Sequence, residues 1–172
     1  MKINRVWAMP DKWTFRMKPI AELLTKYVGD GKGWIDPFAG MNSPAEFTND
    51  LNTEMPTKYH LDAIEFLKAV GDNSSIGVLI DPPYSPRQLS ECYKGIGRKV
   101  TQWDTLGTWR SWVRDEVARI LRTGGVVISF GWNSCGIGKE RGFSIVEILL
   151  VCHGQTHNDT IVTVERKIQA TL

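Results

Sequence analysis

Along the chain, short continuous apolar runs alternate with segments whose apolar residues recur at helical spacing, the pattern of an α/β protein built on a mostly parallel sheet. Ile20, Leu23, Leu24, Tyr27 and Val28 fall on one helical face, and Pro19 suits the first turn of that helix. Gly29, Gly31 and Gly33 close it, and Trp34-Ile35-Asp36 reads as the first sheet strand. Residues 46–50 read as a second strand and Tyr59-His60-Leu61-Asp62 as a third, with Asp62 capping a helix over 63–70. The run Gly77-Val78-Leu79-Ile80 reads as a buried fourth strand. Beyond an irregular segment over 85–107, Trp109, Trp112, Val113, Val117, Ile120 and Leu121 mark the clearest helix, which Gly124-Gly125 end. Residues 126–130 form a fifth strand, and the runs 144–152 and 160–165 pair as a closing antiparallel hairpin.

The 172 residues suit a single domain, 1–172, able to bury a full core without disulfide or metal staples. No apolar run reaches membrane-spanning length, and the amino terminus lacks the continuous apolar core of a signal peptide, so a cytoplasmic protein with no membrane partner is expected. The three cysteines are widely separated and form no Cys-x-x-Cys pair, which favours reduced thiols and gives zinc no support. His153 and His157 have metal-like spacing but no third ligand, so no metal site is expected. A net charge of +2 is too small to steer a polyanion, and any nucleic-acid contact must come from a local patch.

Chemistry concentrates where strands end. Asp81-Pro82-Pro83-Tyr84 directly follows the fourth strand. Neither proline can donate to a sheet ladder, so an acid, a rigid turn and an aromatic ring are presented at a carboxyl strand end, where open α/β sheets place their ligands. Asp36 ends the first strand within Ile35-Asp36-Pro37-Phe38-Ala39-Gly40, a tight turn whose glycine lets backbone amides approach a ligand. Asp50 ends the second strand, where it equally suits an Asx turn in Asn49-Asp50-Leu51-Asn52. Asp62 ends the third beside Ala63, where it equally suits a helix cap.

Asp81-Pro82-Pro83-Tyr84 resembles the catalytic motif of the amino-group DNA methyltransferases, which methylate adenine N6 from S-adenosylmethionine. The 36–40 turn resembles their first cofactor motif, although Met41-Asn42-Ser43-Pro44 replaces the expected second glycine and Pro44 limits the helix that usually follows. Thr14-Phe15-x-x-Lys18-Pro19 resembles the motif that such enzymes place before a helix packed beside the cofactor. The resemblance spans Thr14 to about Glu165 and implies the Rossmann-like class I methyltransferase fold, a seven-stranded sheet with its last strand antiparallel.

It further implies S-adenosyl-L-methionine as cofactor, held by Phe15, Lys18, Asp36, Phe38, Ala39, Gly40, Asp50, Asp62, Ala63 and Asp81. Asp50 would accept from the ribose hydroxyls and Asp62 would meet the adenine amino group. Asp81, Pro82 and Tyr84 would be catalytic: the Asp81 carboxylate and the Pro82 carbonyl accept the two N6 hydrogens while Tyr84 stacks on the base. Pro83, Tyr84, Arg87 and Asn133 would contact the substrate. The segment 85–107, with Arg87, Lys94, Arg98 and Lys99 among Tyr93 and Trp103, would hold a flipped adenine in DNA. Little room remains for a separate target-recognition region, so specificity is relaxed, short, or supplied by a protein partner or a second copy. Compact chains of this kind resemble those of bacteriophages and mobile elements, where methylation masks DNA from restriction. Two alternatives stay open: an RNA acceptor, or a methyltransferase fold that has lost catalysis and serves as a nucleic-acid or subunit-binding module.

Overall fold

A computed structural model describes residues 1–97, 107–154 and 157–168. The strands are β1 (Lys2–Trp7), β2 (Trp34–Asp36), β3 (Phe47–Thr48), β4 (Ser75–Ile80), β5 (Leu121–Gly131), β6 (Phe143–Cys152) and β7 (Thr160–Lys167). They form one seven-stranded sheet in the order β1-β6-β7-β5-β4-β2-β3. All neighbours are parallel except the two pairs that β7 makes, with β5 and with β6. The helices are α1 (Lys18–Val28), α2 (Ala63–Lys68), α3 (Pro86–Gly95) and α4 (Gly107–Ile120).

Both faces of the sheet are covered, which is why its central strands read as unbroken apolar runs. Successive side chains of a strand point to opposite faces. Leu79 therefore joins Ile128, Phe130 and the buried side of α1 (Ile20, Leu23, Leu24, Val28). Val78 and Ile80 join Val127, Phe66 and Leu67 of α2, and Val113 and Val117 of α4. Arg119 fastens the second layer by donating to the carbonyls of Leu67 at 3.0 Å and Val70 at 2.9 Å, at the end of α2. His153 is buried, with its ring nitrogens 2.9 Å from the Ala8 carbonyl and 2.9 Å from the Thr160 hydroxyl. Among the described residues no three His, Cys, Asp or Glu side chains are grouped to hold a metal ion, and no helix is long and apolar enough to cross a membrane.

Several elements differ from expectation. The third strand is only an isolated bridge between Asn49 and Tyr59. Its place in the count is taken by β1, whose half-exposed alternation left no continuous apolar signal. Gly124-Gly125 do not end the long helix but lie within β5, which begins at Leu121 directly after α4. A register shift against β4 between Ser75 and Gly77 absorbs the extra residues. The helix end is held instead by buried Lys167, whose ammonium donates to the carbonyls of Ala118 at 2.6 Å and Leu121 at 2.7 Å. Burial pushes that ammonium below the usual lysine range. Part of the segment read as irregular is α3, capped by the Ser85 hydroxyl, which accepts from the Gln88 amide at 3.2 Å. Arg98, Lys99 and Trp103 lie outside the described residues.

Candidate active site

The carboxyl ends of β2, β3, β4 and β5 lie along one edge of the sheet, and the residues that follow them build the site. A cleft of 590 Å³ opens there, within the range of about 300–1,000 Å³ typical of small-molecule and cofactor sites. It gathers Phe15, Phe38, Ala39, Gly40, Asp50, Asp62, Ala63, Asp81, Pro82, Pro83 and Tyr84 from the positions singled out in the sequence. Lys18, Asp36 and Arg87 are not on its wall. Asn133 lines a second cavity of 260 Å³, which shares Pro82, Tyr84 and Trp109 with the cleft.

Asp36 is fully buried beneath the 36–40 turn. One carboxylate oxygen accepts from the Phe38 amide at 2.9 Å and the other from the Ser43 hydroxyl at 2.6 Å. The departure at Met41-Asn42-Ser43 thus supplies the hydroxyl that satisfies this acid. No helix follows the turn before β3. Its return is instead tied to the end of α1: the Glu46 amide donates to the Gly31 carbonyl at 3.1 Å, and the Glu46 carboxylate accepts from the Gly33 amide at 2.7 Å. Gly40 keeps positive φ (+54°), and a Cβ there would stand 3.3 Å from the ring of Trp13, which covers the turn.

Burial raises the Asp36 carboxyl to about 7, with the charges of Asp81 and Asp50 adding to the effect. An unfolded chain releases that proton near 3.8. Between those two values the native state binds more protons than the unfolded one, so this residue's contribution to stability falls as pH rises from about 4 to 7. Asp36→Asn, which keeps an acceptor for Phe38 and has an amide that can donate to Ser43, is therefore expected to be stabilising at pH 8. The gain should be on the order of 2–4 kcal/mol in urea unfolding, disappearing near pH 4.

Asp50 takes the Asn52 amide at 2.8 Å, closing the Asx turn, and the Gly40 amide at 3.0 Å. Asp62 accepts from the Ile64 amide at 2.9 Å as the cap of α2. Both local roles are realised, and both carboxylates still face the cleft with lone pairs to spare. Buried Asn49, which sequence reasoning passed over, ties these ends together. Its amide donates to the carbonyls of Pro37 at 3.2 Å and Leu61 at 3.0 Å and accepts from the Leu61 amide at 2.9 Å.

Asp81 stands at the end of β4, where the Tyr84 hydroxyl donates to its carboxylate. Thr14, the first residue of the Thr14-Phe15-x-x-Lys18-Pro19 motif, lines the same cleft as both. Burial pushes the Asp81 carboxyl up, opposed by the bond from Tyr84 and by Thr14. The Tyr84 phenol is held well above its usual range by burial and by the carboxylate beside it. The turn itself is braced twice: Gln88 accepts from the Tyr84 amide at 2.7 Å, and Arg110 of α4 donates to the Tyr84 carbonyl at 2.8 Å. Trp132, at the end of β5, meets the Tyr84 ring edge-on with centroids 5.8 Å apart. Arg87 projects into solvent and pairs with Glu91 at 2.9 Å.

No protein-family model and no curated protein sequence matches the chain. Solved structures do. The 1,6-didemethyltoxoflavin-N1-methyltransferase of Burkholderia thailandensis, solved with 1,6-didemethyltoxoflavin and S-adenosylhomocysteine, superposes with a TM-score of 0.57 at 12% identity over 88% of this chain and 78% of that one. TrmN from Thermus thermophilus gives a TM-score of 0.57 at 16% identity over 91% of this chain and 52% of its own, so the chain spans about half the length of TrmN. The yhhF protein of Escherichia coli gives 0.54 at 14% identity, covering 94% of this chain and 91% of that one. The chain has the Rossmann-like fold of the class I methyltransferases, with its antiparallel β6–β7 pair in place.

Proposed function

We propose that this protein transfers a methyl group from S-adenosylmethionine to the exocyclic N6 of adenine in DNA. The observation that carries this reading is the position of the Asp81-Pro82-Pro83-Tyr84 turn: all four residues line the 590 Å³ cleft, and Pro82 and Tyr84 also line the adjoining 260 Å³ cavity. The cleft suits the cofactor. Phe15, Phe38 and Ala63 offer apolar walls, while Asp50 and Asp62 offer carboxylate oxygens to a ribose diol and an adenine amine. The fold is also that of a relative solved with S-adenosylhomocysteine. When bound, S-adenosylmethionine supplies an electrophilic methyl group.

The residues of the turn do the rest. Adenine N6 is a weak nucleophile because its lone pair is delocalised into the ring. The Asp81 carboxylate and the Pro82 carbonyl accept its two hydrogens and draw the nitrogen towards tetrahedral geometry, so that the lone pair faces the cleft. The carboxylate then stabilises the positive charge that develops on N6 as S-adenosylhomocysteine departs, and that charge is lost when the methylated nitrogen releases one of its two protons to solvent. The Tyr84 ring, held edge-on by Trp132, offers a face for the base.

Incubation of the protein with methyl-labelled S-adenosylmethionine and unmethylated duplex DNA, followed by digestion to nucleosides, is expected to place the label in N6-methyladenine. Calorimetry with S-adenosylmethionine alone should show a single site. Label in RNA but not in DNA would move the acceptor to RNA. Binding of the cofactor without transfer to either would favour a binding module.

A further inference from the structure

The acceptor needs a local cationic patch, because the net charge of +2 provides no long-range field. The cation nearest the catalytic turn in sequence, Arg87, does not provide one: it is neutralised by Glu91 and lines neither cavity. Arg16, Arg119 and Arg141 are likewise paired with carboxylates. Arg110 and Arg114 are different. They stand four residues apart on α4, hence on one helix face. Both line the 260 Å³ cavity, and neither has an acidic ion-pair partner within 4 Å among the described residues. The rest of that cavity combines aromatic and polar residues (Tyr84, Trp109, Trp132, Ser129 and Asn133) with aliphatic ones such as Ile80, Val113 and Ile137.

We propose that the 260 Å³ cavity receives the acceptor nucleotide and that Arg110 and Arg114 bind the phosphate beside the reacting base. The aromatic residues meet the base, and two guanidinium groups with no ion pair within 4 Å among the described residues meet the phosphate, the buried Glu165 carboxylate acting on Arg114 only from longer range. Guanidinium suits this task because its planar fork matches phosphate geometry. Arg110 has a second use. Its donation to the Tyr84 carbonyl at 2.8 Å couples phosphate binding to the turn that carries Asp81. An acceptor held this way is a unit of a polynucleotide, not an uncharged heterocycle. This seat deepens the adenine-N6 reading and rests on it for the identity of the base.

The test is the salt dependence of duplex binding. Affinity of the full chain for a fluorescent unmethylated DNA duplex would be measured by anisotropy across a salt series, for wild type, Arg110→Gln, Arg114→Gln and Arg122→Gln. Arg122 is an exposed cation at the amino end of β5, the far edge of the sheet, and serves as control. Each of the two α4 variants should bind more weakly and lower the slope of log K against log salt by about 0.9, the signature of one lost phosphate contact. Arg122→Gln should keep the wild-type slope. Arg114→Gln keeps the test open should Arg110→Gln loosen the turn. Wild-type slope and affinity in both α4 variants would overturn the seat, as would failure of the wild type to bind the duplex at low salt. The label-transfer experiment separates the two ideas. A lowered slope with no label in adenine would leave the seat and remove the adenine-N6 reading; label in adenine with an unchanged slope would do the reverse.

Discussion

Asp81→Ala is expected to lower methyl transfer to duplex DNA by about 10²–10³-fold, the usual consequence of removing one group aimed at charge that develops in the transition state. Cofactor affinity should change far less, since most of the cleft wall is contributed by other residues. The protein should stay folded. Asp81 is a carboxylate whose burial already raises its pKa, so its removal relieves desolvation while costing the Tyr84 hydroxyl one partner. The pH profile provides a second check. A protonated carboxyl cannot serve as the same acceptor, so the rate should fall on the acid side, with a midpoint above the ordinary aspartate range near 3.9. That acid limb should vanish in Asp81→Ala. A variant with wild-type kcat, or one whose acid limb persists unchanged, would remove Asp81 from the chemistry.

The largest effect on stability is expected at Gly31. Its φ is +78°, in the region that side chains other than glycine rarely adopt, and a Cβ there would lie 2.0 Å from the Pro44 carbonyl oxygen. That oxygen belongs to backbone and cannot swing aside. Gly31→Ala must therefore displace either the end of α1 or the return from the 36–40 turn. Strain of this kind costs about 1–3 kcal/mol before the clash is added, so a loss above about 3 kcal/mol in denaturant unfolding is expected. The same change should weaken S-adenosylmethionine binding, because the bond from Glu46 to the Gly31 carbonyl is one of the ties holding the loop that lines the cleft. A variant with wild-type stability would show that this junction yields more easily than its geometry implies.

Periodicity and strand-end chemistry carry much of this architecture. The face of α1, the apolar runs of β4 and β5 and the closing hairpin each follow from side chains whose partners repeat at a fixed interval. The acids Asp50, Asp62 and Asp81 are likewise visible as a recurrence after successive strand-like runs, although Asp50 and Asp62 each also fill a local role, as Asx turn and helix cap. The remainder depends on partners distant in sequence. Lys167 caps the end of α4 through carbonyls 46 and 49 residues earlier, so the glycines that follow that helix mislead. Ser43 satisfies Asp36 where a departure from the glycine loop reads only as a loss. Arg110 reaches the Tyr84 carbonyl from 26 residues away, and no local pattern marks it out from the other cations of α4.

Strand β1 has a consequence for how the site is closed. It lies parallel to β6, and the Asn4 amide donates to Glu147 at 2.9 Å across 143 residues of chain. Pairing of residues so far apart carries a loop-closure cost that the contacts of the strand must offset. The residues that follow β1 carry Trp13, Thr14 and Phe15 to the cleft. That wall is also fastened to the core, where the Phe15 and Phe130 rings meet with centroids 5.0 Å apart. The site is thus closed by two distant stretches of chain, Asp81 from the end of β4 and Thr14 from the segment between β1 and α1.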